Sequence, residues 1–366
     1  MSDKENELFK AETIIFNLRT QMKKQLLTVS LLAAFAGMAQ AQTNVTIYGV
    51  VDTGYIKETG SDLKMGEWND SRIGFKGTED LGGGYKATFQ LEQRLDLWDG
   101  KGGDPEWDGA SNVGLAGPFG ALRFGRMNEI ETESFRRLDP FNQEGVGSMM
   151  KGTQRTSRIS NVARYDSPGF SGFKASLGYY LGKNTQNIDK NADGNEWAKN
   201  NADNDGFAIG LNYDNGPLLL LANYSRLSDS NQSNVWSVGG AYKIGGFRVG
   251  LGYERTDDKG WKFGSTSSAG KSKQNNWILS GEYKTGPHRI AGAFSWIDFT
   301  DSEKFSDNDS RDAKKYSVGY FYSLSKRTTL YGQLAYTDFE DKEIAKIYKY
   351  YDDGVTGVQI GINHKF

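Results

Sequence analysis

The stretch YKATFQLEQR at residues 85–94 limits the possible folds of this chain more than any other. Tyr85, Ala87, Phe89 and Leu91 fall on one parity, and Lys86, Thr88, Gln90, Glu92 and Arg94 on the other, which is the two-residue period of a β-strand. Five polar or charged side chains in a row cannot face the dry interior of a sandwich, because each unpaired group buried there costs several kcal/mol. The polar face requires water, and the apolar face requires a core or lipid.

The same unit recurs along the chain. Phe173, Ala175, Leu177 and Tyr179 oppose Lys174, Ser176, Gly178 and Tyr180; Phe247, Val249, Leu251 and Tyr253 oppose Arg248, Gly250, Gly252 and Glu254. Tyr316, Val318, Tyr320, Tyr322 and Leu324 oppose Lys315, Ser317, Gly319, Phe321 and Ser323, and the last stretch puts Val358, Ile360, Ile362, His364 and Phe366 on one row. Several apolar rows finish on Tyr, Trp or Phe, as the interfacial girdles of a membrane barrel require. Sixteen such strands are expected, the first starting near Val45, later ones near Asn276 and Lys315, and the last near Thr356. Short connections with turn chemistry (EDLGGG, GPFG, DNGP, KTGP) alternate with long polar ones such as GKNTQNIDKNADGNEWAKNNADND. The pattern predicts an all-β fold, a 16-stranded antiparallel transmembrane β-barrel with turns at one rim, solvated loops at the other and both chain ends at the same rim. Composition agrees: 46 Gly, 20 Phe, 19 Tyr and 8 Trp stand beside only 6 Pro.

Residues 22–41 read as a secretory leader, with Lys23 and Lys24, an apolar run from Leu26 to Met38 and the small-x-small site Ala39-Gln40-Ala41. The acidic segment 1–21 ahead of it does not fit such a leader and reads as a mis-annotated extension, which leaves 42–366 as the barrel. The absence of cysteine removes disulfides and thiolate metal sites from consideration. A formal net charge of −2 without a basic block gives no footprint for nucleic acid. Only His288 and His364 are present, one beside a turn and one on an outward row, so a Ser-His hydrolase would lack its base. DNDSRD and NADGNEW carry oxygen ligands but not the full EF-hand pattern, and no cofactor or metal is implied.

One connection departs from the pattern. Residues 127–158 combine charge with the apolar anchors Ile130, Phe135, Leu138, Phe141, Met149 and Met150, so this loop is expected to pack against the inside of the barrel wall. Leu218–Leu221, apolar on both parities, is either the wall segment it covers or a short apolar patch in the lumen.

VTIYGVVDTGY, SRIGFKGTEDLGGGYKATFQLE, VGLAGPFGALRFGRMN, ARYDSPGFSGFKASLGYY, YFYSLSKRTTLYGQLAY and the terminal GINHKF together resemble the general diffusion porins of Gram-negative bacteria, in particular the neisserial and beta-proteobacterial trimeric porin family. The resemblance covers nearly all of 42–366. It implies a homotrimer in outer-membrane lipid, a water-filled pore for ions and small hydrophilic solutes narrowed by the third loop, and a terminal Phe366 read by the barrel-insertion machinery. Selectivity in such a pore arises where charges sit close together at a constriction. The inward parity assigns a basic cluster to Arg72, Arg94, Arg123 and Arg164, with Lys86 beside it and Asp52 and Glu92 as wall acids. Facing acids are expected among Glu129, Glu131, Glu133, Asp139 and Glu144. Arg126 shares the outward parity of Leu122 and Phe124 and reaches the lumen only if the chain bends at Gly125. A channel specific for small anions or carboxylates is the alternative; it calls for a denser single-sign ladder. Charge reversal at Arg72 or Arg164 is expected to move the salt-gradient reversal potential toward cations, and an unchanged potential removes those residues from the constriction.

Overall fold

The computed structural model describes residues 44–366 except 104–105, 143, 151–157, 183–204, 228–232, 260–261, 264–265, 268–270, 303–310, 341 and 349. The expected leader and extension, part of the third loop, all of NADGNEW and most of DNDSRD lie outside the described residues. Sixteen long strands form the wall: β1 (Asn44–Glu58), β2 (Arg72–Gly82), β3 (Tyr85–Arg94), β4 (Ala110–Gly117), β5 (Gly120–Asn128), β6 (Arg158–Asp166), β7 (Phe173–Tyr180) and β8 (Gly206–Asn215). They continue with β9 (Leu218–Arg226), β10 (Asn234–Ile244), β11 (Phe247–Lys259), β12 (Lys271–Thr285), β13 (His288–Ser302), β14 (Arg311–Ser323), β15 (Thr328–Phe339) and β16 (Gly354–Lys365). Each pairs antiparallel with its sequence neighbour. β1 closes the ring: its first half pairs with β2, from Asn44 opposite Thr78 to Val50 opposite Arg72, and its second half with β16, from Val50 opposite Lys365 to Glu58 opposite Gly357.

The expected strand starts are met within a few residues. The largest differences are at β12 and β14, where KSKQN and RDAKK extend the strands upward with polar side chains on both faces, so no alternation marks them. Outward rows carry the apolar residues, and Val45, Ile47, Phe173, Val249, Leu251 and Ile360 are each more than half exposed on the outer surface. Two aromatic belts edge this surface. Phe247 meets Tyr283 at 4.3 Å and Phe173 meets Tyr213 at 4.5 Å near the short turns, while Tyr253 meets Trp277 at 4.3 Å and Trp236 at 5.1 Å nearer the loops. At the seam, Phe366 exchanges both backbone hydrogen bonds with Gly49. Its ring lies where a side chain on Gly49 would point, so only glycine leaves the notch open.

The third loop folds into the barrel and is seated at four apolar patches. Ile130, at the start of the short helix α1 (Ile130–Phe135), packs with Met127, Ile159, Val162, Tyr180 and Ala208. Phe135, Leu138 and Met149 cover Leu219, Leu221, Ala241 and Ile278, which settles the two-sided apolar stretch in β9 as wall beneath the loop. Phe141 sits among Trp68, Ala291, Phe321 and Tyr331. Met150 joins Ile297, Phe299, Ala313, Phe339 and Val355 under a second inward segment, the helix α2 (Lys342–Ile347), through Ile344 and Ala345. Tyr180 and Phe321, aromatics on the polar parity, are therefore buried under loop residues and not exposed in the lumen.

The first loop contributes a further tie. A short strand, Lys64–Gly66, pairs with Gly54–Ile56 above β2, and residues 67–71 then turn inward. Asp52 holds that turn: its carboxylate accepts from the backbone N–H of Trp68 and Asn69, the Tyr331 hydroxyl (2.6 Å) and the Asn363 amide (2.8 Å). Trp68 in turn donates its indole N–H to the Phe141 carbonyl at 3.1 Å. Because Phe141 is fully buried, Phe141→Ala is expected to weaken loop seating by about 3–5 kcal/mol. The measurement is single-channel recording: larger and noisier steps are expected from the variant, whereas wild-type steps mean that the other three patches suffice.

Candidate pore constriction

A cavity of about 320 Å³ lies between the third loop and the β2–β6 side of the wall. Six cations line it: Arg72, Arg94, Arg123, Arg136, Arg158 and Lys365. Three carboxylates, Glu92, Glu133 and Glu144, share it. Parity on β2, β3 and β5 places Arg72, Arg94 and Arg123 there as the sequence led one to expect. Arg72 is held by Asn69 and by the Asp70 carbonyl (2.8 Å), Arg94 by the Asp70 carboxylate (3.0 Å), and Arg123 by Asp166 (2.6 Å). Glu92 lies 3.7 Å from Arg72 and 3.6 Å from Arg94, which spaces two like charges side by side. Lys86 faces the lumen nearer the short turns, in a cavity of about 750 Å³ that also reaches Arg123.

Three expectations for the wall need correction. Arg164 faces inward but is buried behind the loop, bonded to Glu133 at 2.9 Å and Asp166 at 3.0 Å, and so ties loop to wall without lining the cavity. Arg126 stays on the outer face. Although Gly125 has a φ of +130°, the register absorbs the irregularity on β6, where Ser160 and Asn161 oppose Arg126 alone and Asn161 takes a φ of +59°. Arg126 then bonds the Asp108 carbonyl and the Ser160 hydroxyl. Asp52 belongs to the buried tie described above and pairs with no arginine.

Of the five loop acids, two reach the cavity. Glu133 does so beside Arg164, and Glu144 does so between Arg136 (3.3 Å) and the backbone N–H of Asp70 (3.2 Å). Glu129 caps α1, accepting from the Thr132 N–H at 2.8 Å and the Tyr180 hydroxyl at 2.9 Å. Asp139 accepts from the N–H groups of Phe141 and Met149 and braces the loop's turn. Glu131 is fully buried. Lys365 was legible, since it falls on the polar parity of β16, whereas Arg136 lies in the loop and Arg158 at its end, where no parity operates. Among the described residues no cluster of acids and histidines is arranged to hold a metal.

A model of the Gram-negative porin family matches residues 28–342. The chain belongs to that family. An outer membrane porin protein of Bordetella pertussis is 33% identical across 94% of this chain and all of the relative, and outer membrane porin protein 32 of Delftia acidovorans is 32% identical with the same coverage. Among solved structures, an anion-selective porin from Comamonas acidovorans superposes with a TM-score of 0.70 at 26% identity, covering 89% of this chain and all of that one. This porin is accordingly an outer-membrane protein, and its relatives are channel proteins rather than enzymes.

The porin's constriction contains a carboxyl that titrates near neutrality. Burial, reinforced by the nearby Asp70 charge and opposed by Arg136, pushes Glu144 up to about 7. A raised carboxyl is neutral below that value and charged above it. Lowering the pH through neutrality removes one negative charge from the lining, so the reversal potential is expected to move toward anions as the pH falls. Glu144→Gln is expected to flatten that dependence; a slope unchanged in the variant assigns the titration elsewhere.

Proposed function

We propose that this chain is a homotrimeric general porin through which ions and small hydrophilic solutes diffuse passively, with a preference for anions. The observation that carries the reading is the lining itself, six cations against three carboxylates around one cavity. Arginine guanidiniums remain charged at any relevant pH and act over short distances in a narrow aqueous passage, where screening is weakest. The loop carboxylates Glu133 and Glu144 stand across from the wall cations and set up a transverse field that aligns water and dipolar solutes. In this reading residues 22–41 are the export leader, 1–21 are an upstream extension, and Phe366 is the residue that the insertion machinery reads.

A channel specific for small anions or carboxylates is the second reading. It is favoured by the likeness to the Comamonas acidovorans protein, an anion-selective porin, and by the cation excess in the lining. The three carboxylates interleaved with the cations favour weak selection over tight binding.

Planar-bilayer recording of the folded protein under a salt gradient tests both. Conductance steps in threes with a modest anion-directed reversal potential are expected, and Arg94→Glu is expected to bring that potential to zero or across it. A cation-directed wild-type potential overturns the proposed preference. Conductance that saturates with one anion class favours the specific channel.

A further inference from the structure

A second cavity, about 410 Å³, lies on the short-turn side of the third loop and is separate from the constriction apart from shared edges at Asn142 and Lys365. Its roof is the loop, at Arg137, Asp139, Pro140 and Asn142, and its wall comes from the inward rows of β11 to β16 near their short-turn ends. Five cations meet there: Arg137, Arg248, Lys284, Arg289 and Lys365. Two carboxylates accompany them and leave the cations in excess. Asp139 accepts from two backbone N–H groups of its own loop, and Glu282 lies 3.5 Å from Arg289 and opposite Arg248 in the strand ladder.

The cations are differently constrained. Arg289 is fixed: its guanidinium lies 3.6 Å over the Phe321 ring and 5.7 Å from that of Trp68, and it donates to the Pro140 carbonyl at 2.9 Å. Arg248 donates to the Arg137 carbonyl, and Arg137 pairs with Asp214 outside the cavity. Lys284 and Lys365, approaching from β12 and β16, have no acceptor for their ammonium groups among the described residues. A preset guanidinium on an aromatic floor, with two uncommitted ammonium groups beside it, fits an anion whose charge is spread over several oxygens. Chloride offers one point of contact, whereas a tetrahedral oxyanion or a dicarboxylate offers enough acceptors to bridge the fixed and the mobile donors.

We propose that this cavity is a second anion subsite, taking oxyanions that carry two or more negative charges as they leave or enter the constriction from the short-turn side. The proposal rests on the anion-passing reading above, and names the solutes that the passage retains. Occupancy there narrows the route beneath the loop, so a bound oxyanion obstructs chloride flow.

The test is single-channel chloride current through the folded trimer at constant ionic strength, with inorganic phosphate added above neutral pH, where it is divalent, and with acetate as the monovalent control. Phosphate is expected to interrupt the current and acetate to leave it continuous. Lys284→Gln is expected to lose the interruptions and Lys284→Arg to restore them. Arg123→Gln, in the constriction, is expected to lower anion preference while keeping them. Equal effects of phosphate and acetate, or interruptions that survive Lys284→Gln and vanish in Arg123→Gln, overturn the subsite. The reversal potential in chloride salt alone is read separately: anion preference without phosphate interruptions rejects only the subsite, and a cation-directed potential with interruptions that Lys284→Gln abolishes rejects only the general preference.

Discussion

Lipid offers no hydrogen-bond partners, so every backbone N–H and C=O within the membrane has to be satisfied by the protein itself. The pairing of β1 with both β2 and β16 meets that requirement by leaving no edge. Everything else in the molecule depends on this closure. A closed ring of sixteen strands is too wide for its own inward side chains to fill, and the space left over is both the pore and the reason that the third loop has a wall to lie against.

How the loop lies there determines what the pore can do. Its apolar residues are placed at four patches that run along the lumen face of much of the barrel, and the buried Arg164–Asp166 pair, extended to the half-exposed Glu133, adds a charged tie at its first turn. A buried ion pair of this sort contributes little net stability but penalises any arrangement in which one partner is lost. Glu133 is thereby fixed in position facing the wall arginines. The loop is shaped by ordinary core packing, although its surroundings are an aqueous channel.

Much of the barrel was legible in the sequence because lipid on one side and water on the other impose a period of two along most of the wall. That same rule identified Arg72, Arg94 and Arg123, whereas Lys365, on the inward parity of β16, was not among the expected lining residues. The rule lost force wherever the period stops. Above the lipid, β12 and β14 run on with both faces polar; within the third loop, helix capping decides that Glu129 turns away from the channel, and backbone bracing decides the same for Asp139. Arg164 was assigned to the correct face, but parity does not reveal what a loop lays over that face. The irregularity at Gly125 was detectable, yet which strand would absorb it depended on Asn161, a residue that tolerates a left-handed backbone.

The distribution of tryptophans has an optical consequence. Trp236 and Trp277 stand on the outer surface, whereas Trp68 is buried in the lumen, its indole bonded to the Phe141 carbonyl and its ring against Phe321, Tyr331 and the Arg289 guanidinium. Indole emission shifts with the polarity around the ring. Trp68 is thus a built-in fluorophore at the seat of the third loop, and the wavelength of its light records whether that seat is dry.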